Sequence, residues 1–245
     1  MTAGEAARPD VGAVIFDWGG TITPWHTVDL TEQWRIFARA YHLDDPHLAD
    51  DLAGRVWAAE DAGWRRGRAD NSSARLEEML AEAGVVAQDP RTAAGLAAYR
   101  EFWEPHTWTD PQIPQLWEAL RDRGVRVGVL SNTIWSRDYH RDLFARDGVL
   151  DLVDADVYSS ETPWVKPSPE IFRHAAAAVG VPAEQCVYVG DRSYEDVHGP
   201  QSVGMRAIWV PHSDIPVDQQ VSVEVTPDGI AHELLDVLRL IDGWA

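Results

Sequence analysis

The feature that most restricts the fold is a strand pattern that starts, stops and resumes. Val11-Gly12-Ala13-Val14-Ile15 reads as a short buried strand running to Asp17 and closed by the Gly19-Gly20 turn. From about Val28 to about Glu104 the apolar residues then keep helical spacing. Leu30, Trp34, Phe37, Ala38 and Tyr41 form one stripe, and Leu52, Val56, Trp57 and Ala59 another. Two further helices are expected, one opening at Asn71-Ser72-Ser73 and one after Asp89-Pro90. From residue 111 helix and strand alternate. A helix ending at Arg123-Gly124 precedes a strand over Val125–Leu130, a helix near Arg137–Ala145, a strand near Leu152–Tyr158 and a helix over Pro169–Val179. A strand over Cys186–Val189, a helix near Tyr194–Ser202, a strand over Met205–Val210 and a last helix near Ile230–Ile241 complete the pattern, with residues 212–228 as a surface excursion. Such alternation predicts an α/β fold with a parallel sheet. One strand cut off from its sheet by helices implies an insertion. The expected organisation is a core domain from residues 1–24 and 105–245, and an all-helical cap domain over 25–104 covering the strand ends where ligands bind in open α/β folds.

The 245 residues are 45% apolar, enough for a packed interior. Forty acidic residues against 21 basic ones leave a net charge of -19, which repels phosphate backbones and anionic headgroups, so neither nucleic acid nor membrane is an expected partner. No apolar stretch has the length of a span or a signal segment, and a single cysteine, Cys186, suits a reducing compartment, so a cytoplasmic location is expected. Oligomeric state is not legible. Lys166 is the sole lysine.

Polar residues gather at the predicted strand ends. Asp17 ends the first strand, Ser131-Asn132-Thr133 the second, Lys166 precedes a helix in Val165-Lys166-Pro167-Ser168-Pro169, and Gly190-Asp191 closes the fourth strand with Asp196 five residues on. Singly each has a structural reading: a turn aspartate, a helix cap, a solvated lysine, an acid in a first helical turn. Together they would face one crevice. Two carboxylates from different strand ends can hold magnesium through oxygen, and a hydroxyl and an ammonium beside them can hold the oxygens of a transferring phosphoryl group.

The stretches FDWGGTIT, VGVLSNT, VKPSPEIF and VYVGDRSYED match in order the four motifs of the haloacid dehalogenase-like (HAD) hydrolases, a superfamily that the chain resembles over roughly residues 11–210. The resemblance implies a Rossmann-like core and a phosphatase-type hydrolase using Mg2+ on a small phosphorylated substrate. It implies Asp17 as the nucleophile that becomes an aspartyl-phosphate, with Ser131 and Lys166 catalytic and phosphate-binding. Trp18, Thr21 and Asn132 join the phosphate site, while Asp17, the Gly19 carbonyl, Asp191 and Asp196 form the metal site. The helical insertion corresponds to the family's cap. Lys166 is expected to matter for activity rather than stability.

One position departs from the pattern. Phosphatases of this superfamily usually carry a second aspartate two residues after the nucleophile, as general acid and base; here it is Gly19, which keeps a carbonyl for metal but cannot move a proton. The family's phosphonatases also lack this acid but need a cap lysine, and this cap has none. The dehalogenases dispense with it because halide leaves unprotonated, yet they do not need the carboxylates of the fourth motif. Three readings remain: a phosphatase whose proton comes from elsewhere or whose leaving group needs none, a degenerate phosphate- or partner-binding protein, and a dehalogenase. His26 and Asp29 are candidate substitutes for the acid, and Arg65, Arg66 and Arg68, around Gly67, are candidates to meet an anionic substrate tail.

Overall fold

The computed structural model describes residues 10–24, 28–70, 73–211, 221 and 223–244. Six parallel strands, β1 (Ala13–Phe16), β2 (Arg126–Ser131), β3 (Ala155–Tyr158), β4 (Cys186–Gly190), β5 (Arg206–Trp209) and β6 (Gly229–Ile230), lie in the order β3-β2-β1-β4-β5-β6. Because all run the same way, their carboxyl ends share one edge, and the order reverses at β1, where open α/β sheets form their ligand crevice. Side chains alternate across β1 and β4 as the strand period requires. Val14, Phe16, Val187 and Val189 pack on one face with Trp117, Phe144 and Val237. Ala13, Ile15, Cys186 and Tyr188 pack on the other with Ile171, Phe172 and Val179. These partners come from helices α5 (Ile113–Asp122), α6 (Arg137–Arg146), α7 (Pro169–Val179) and α9 (Asp236–Asp242), with the single turn α8 (Gly199–Gln201) between β4 and β5.

Between β1 and β2 stand α1 (Leu30–Tyr41), α2 (Pro46–Asp70), α3 (Leu76–Glu82) and α4 (Pro90–Trp103). They surround an apolar cluster of their own containing Trp34, Phe37, Leu52, Val56 and Tyr99. Two residues from the far side of the chain complete it, Ile134 and Trp135 of the β2–α6 connection. Trp135 packs on Tyr99 at 5.1 Å between ring centroids, and Arg100 of α4 lies over its ring. Ser73 donates its hydroxyl to the carbonyl of Thr162, and the Leu76 amide donates to that of Ile134. The segments leading out and back also meet, the Asp110 amide donating to the Ile22 carbonyl.

Several sequence expectations change. Trp57 is 38% exposed and lies off the buried stripe of α2. α3 opens at Leu76 after Arg75, not at Asn71-Ser72-Ser73, of which Asn71 and Ser72 lie outside the described residues. α4 begins as expected, with Asp89 accepting from the Arg91 amide ahead of Pro90. The segment before β3 is a 3-10 turn, Leu150–Leu152, and the helix near 194 is a π-helix, Ser193–His198, that leads into α8. Gly229–Ile230 pairs with β5 as an edge strand, so the last helix starts at Asp236. Most of the excursion over 212–228 lies outside the described residues, but Asp228 is anchored, accepting from the Ala207 amide. No helix among the described residues is long and apolar enough to cross a membrane.

Candidate active site

Asp17 follows β1 directly, its amide bonded to the carbonyl of Val189 on β4, so its position is set by the sheet itself. The chain then turns sharply, the Thr21 and Thr23 amides returning to the Trp18 carbonyl. The turn depends on Gly20, which has a φ of 80° and at which a Cβ would overlap the Asp191 carboxylate. Gly19 is different. Its φ lies outside the left-handed region, and beyond its chain neighbours a Cβ there would meet nothing within 4 Å.

The Lys166 ammonium is the hub. It lies 3.0 Å from Asp17 Oδ1 and 2.7 Å from Asp196 Oδ1, and donates to the Tyr188 hydroxyl at 3.0 Å. That hydroxyl donates in turn to the Leu130 carbonyl at the end of β2. All three charged groups are buried. Asn132 binds the Lys166 backbone on both sides, its Oδ1 accepting from the Lys166 amide and its Nδ2 donating to the Lys166 carbonyl. Asp196 Oδ2 accepts from the amides of Asp191 and Arg192, so one carboxylate orients both the ammonium and the turn after β4.

Burial opposes charge on Lys166, yet the Asp17 and Asp196 carboxylates more than offset it and hold the ammonium protonated, its pKa above the usual lysine range. Burial pushes the Asp17 carboxyl up against the pull of Lys166, and Asp196 pushes it further. A cation among the acids would favour the carboxylate. Asp17, Asp191 and Asp196 place one oxygen each within 4.8 Å of one another, a buried all-oxygen set of the kind magnesium takes. The donor chemistry fits the ion. Asp196, already accepting from Lys166 and two amides, is the member with least capacity left over.

The other predicted residues sit as follows. Ser131, at the end of β2, is buried. Thr21 is buried, and its hydroxyl has no hydrogen-bond partner among the described residues. Trp18 donates its amide to Asp17 Oδ1, but its ring packs edge-on against His140 at 4.7 Å, and its Nε1 likewise has no partner among the described residues. Of the substitutes for the missing acid, His26 lies outside the described residues, and Asp29 caps α1, accepting from the amide and hydroxyl of Thr31. Arg65 and Arg66 lie within α2, paired with Asp61 and Glu82. Ser136, not Ser131-Asn132, caps α6. Two residues escaped the sequence reading. Tyr188 lies inside an apolar strand run, and the sole hint of its link to Lys166 was its place two residues before Gly190. His140, fully buried, stacks on Tyr158 at 4.3 Å and shares a 3.3 Å contact with the Thr133 hydroxyl; burial pushes it down to about 3.

A family model for haloacid dehalogenase-like hydrolases matches residues 11–204. The chain is 26% identical over 233 residues to a glyceraldehyde 3-phosphate phosphatase of Methanopyrus kandleri, covering 94% of this chain and 97% of that protein. Among solved structures it is similar to a HAD phosphatase from Thermococcus onnurineus, with TM-score 0.64 and 20% identity over 95% of this chain and 99% of that one. It is also similar to a 2-haloacid dehalogenase from Pseudomonas syringae pv. Tomato DC3000, with TM-score 0.67 and 22% identity over 96% and 100%. At such identities the two structures establish a shared fold alone.

Proposed function

Because this chain belongs to the haloacid dehalogenase-like hydrolase family, we propose that it is a Mg2+-dependent phosphatase that hydrolyses a small phosphorylated metabolite through an aspartyl-phosphate on Asp17. One observation carries the reading: a single buried ammonium shared between Asp17 and Asp196, beside a third carboxylate, Asp191. A dehalogenase has no need of that third acid.

In this mechanism an Asp17 oxygen attacks phosphorus, the phosphorus–oxygen bond to the leaving group breaks, and water then releases inorganic phosphate and restores the carboxylate. Lys166 offsets charge on the phosphoryl oxygens and fixes the nucleophile, while Ser131 donates to those oxygens. Asn132 and Tyr188 position Lys166, and Asp196 orients it from the other side. Asp17, Asp191 and the Gly19 carbonyl would hold magnesium, with Asp196 supporting the set; when bound, the ion neutralises phosphoryl charge. Gly19 supplies no proton to the leaving oxygen. Good leaving groups, or substrates carrying their own acid, are therefore favoured. The helices over 25–104 act as the cap that excludes water. A cytoplasmic setting accords with a single Cys186 whose thiol burial pushes up to about 12, away from disulfide chemistry.

The test is turnover of p-nitrophenyl phosphate with magnesium. Asp17→Asn keeps the shape of the side chain and removes its nucleophilic charge, so activity should fall to background, as it should in EDTA. Undiminished turnover in either condition would refute the assignment.

A further inference from the structure

Asp191 is the first residue after β4, and the neighbouring strand reaches past the end of β4 to hold it. Trp209, the last residue of β5, lies in register with Gly190, and the Val210 amide donates to the Gly190 carbonyl at 2.9 Å. Ile208 and Val210 both join the cluster around Trp117 and Val237, so strand alternation turns the Trp209 side chain to the opposite face of the sheet. There its indole Nε1 donates to the Asp191 carbonyl at 2.9 Å, across 18 positions of sequence. An indole has one N–H, and this one is spent on Asp191.

The two peptide units flanking the Asp191 Cα are each held at both ends. In the unit before it, the Gly190 carbonyl accepts from Val210 and the Asp191 amide donates to Asp196 Oδ2 at 3.1 Å. In the unit after it, the carbonyl accepts from Trp209 and the Arg192 amide donates to the same Asp196 oxygen at 3.0 Å. Asp196 comes this close because residue 190 is glycine, where a Cβ would fall 2.5 Å from the Asp196 Cβ. Peptide units are planar, so pinning both fixes the two dihedrals between them, and with those the direction in which the Asp191 side chain leaves the chain. Trp209 is the one side chain in this clamp that is not itself among the three carboxylates of the candidate cation site.

We propose that Trp209 is a positioning residue for the cation site: its indole fixes the Asp191–Arg192 peptide unit and so holds the Asp191 carboxylate beside those of Asp17 and Asp196, which makes part of the magnesium affinity a property of β5. The inference rests on the magnesium reading of that set and names a residue outside it that tunes it. Trp209→Phe keeps an aromatic ring and removes the N–H. In calorimetric titration of the full chain with magnesium chloride its Kd should rise about 2- to 12-fold, the range for one neutral hydrogen bond lost. With p-nitrophenyl phosphate, the magnesium concentration for half-maximal rate should rise by the same factor, while kcat at saturating magnesium holds. Asp228→Ala is the control. Asp228 anchors the same strand two residues earlier, through the Ala207 amide, so its loss should lower the melting temperature and leave the magnesium Kd unchanged. A third readout needs no variant: in the isotope-labelled wild-type protein the assigned Trp209 indole resonance should shift along the magnesium titration with the calorimetric Kd. An unchanged Kd in Trp209→Phe, an equal loss of affinity in Asp228→Ala, or an indole resonance that magnesium does not move would each overturn the role of Trp209 while leaving the magnesium reading intact. If the wild-type protein bound no magnesium, that reading would fall and the role of Trp209 with it.

Discussion

Gly19→Asp tests the central chemical peculiarity of this site, the missing proton donor. Positive φ belongs to Gly20, not Gly19, and beyond its chain neighbours Trp18 and Gly20 a Cβ at Gly19 meets nothing within 4 Å. Replacing glycine where no strain results removes freedom from the unfolded chain, worth about 0.4–1 kcal/mol in favour of the fold. A carboxyl there would be pushed toward its protonated form by the Asp17 and Asp191 carboxylates and toward its charged form by Lys166 and a bound cation, so the pH dependence of kcat reports its protonation. Hydrolysis of glycerol 3-phosphate should rise by up to the ~10²–10⁴-fold that a positioned acid contributes, while acetyl phosphate, whose leaving carboxylate needs little protonation, should gain far less. The readout is the ratio of the two kcat values, with magnesium affinity and circular dichroism checked alongside. Gly20→Asp serves as the contrast, since there both φ and the Asp191 carboxylate forbid a side chain, and loss of fold or metal binding is expected. An unchanged ratio in a folded, magnesium-binding Gly19→Asp protein would refute the claim that this position is what limits ester hydrolysis.

The remaining predictions concern buried charge. Lys166→Ala leaves Asp17 and Asp196 buried without their cation, so it should abolish turnover and also lower stability in urea by about 3–5 kcal/mol; a loss under ~1 kcal/mol would mean the ammonium is not the hub. Lys166→Arg should lose activity too, because a planar guanidinium cannot occupy the space in which a compact ammonium meets Asp17, Asp196 and Tyr188. His140 is held neutral in the fold, down to about 3 against an ordinary value near 6.5, so below pH ~6.5 the unfolded chain takes up a proton that the folded one refuses. Its contribution therefore makes stability fall as pH drops, by about 2 kcal/mol between pH 6.5 and 5. His140→Phe should show that much less acid sensitivity over the same window in urea unfolding, and an identical pH profile would refute the assignment.

What the sequence by itself determined is whatever depends on local period and punctuation. Alternation after residue 111 specified a parallel sheet, because each buried strand needs a crossover helix before the next, and the interrupted first strand specified an insertion. The polar residues at strand ends were legible because a parallel sheet brings all its carboxyl ends to one edge. The tertiary structure decided the rest. Lys166 reads locally as a residue before a proline, yet its partners lie 22 positions away at Tyr188 and 30 at Asp196, and its backbone is held from 34 positions away by Asn132. Those contacts are why Lys166→Ala is expected to lower stability as well as activity, where the local reading expects a loss of activity alone. Trp57 fits the helical stripe, but packing around Trp34 and Tyr99 left it outside. Gly229–Ile230 lacks the length of a strand, and it became one because β5 offered an open edge. Which of two adjacent glycines must be glycine was undecidable in Gly19-Gly20, since the answer is set by the Asp191 carboxylate, which arrives from β4 only when the sheet has closed.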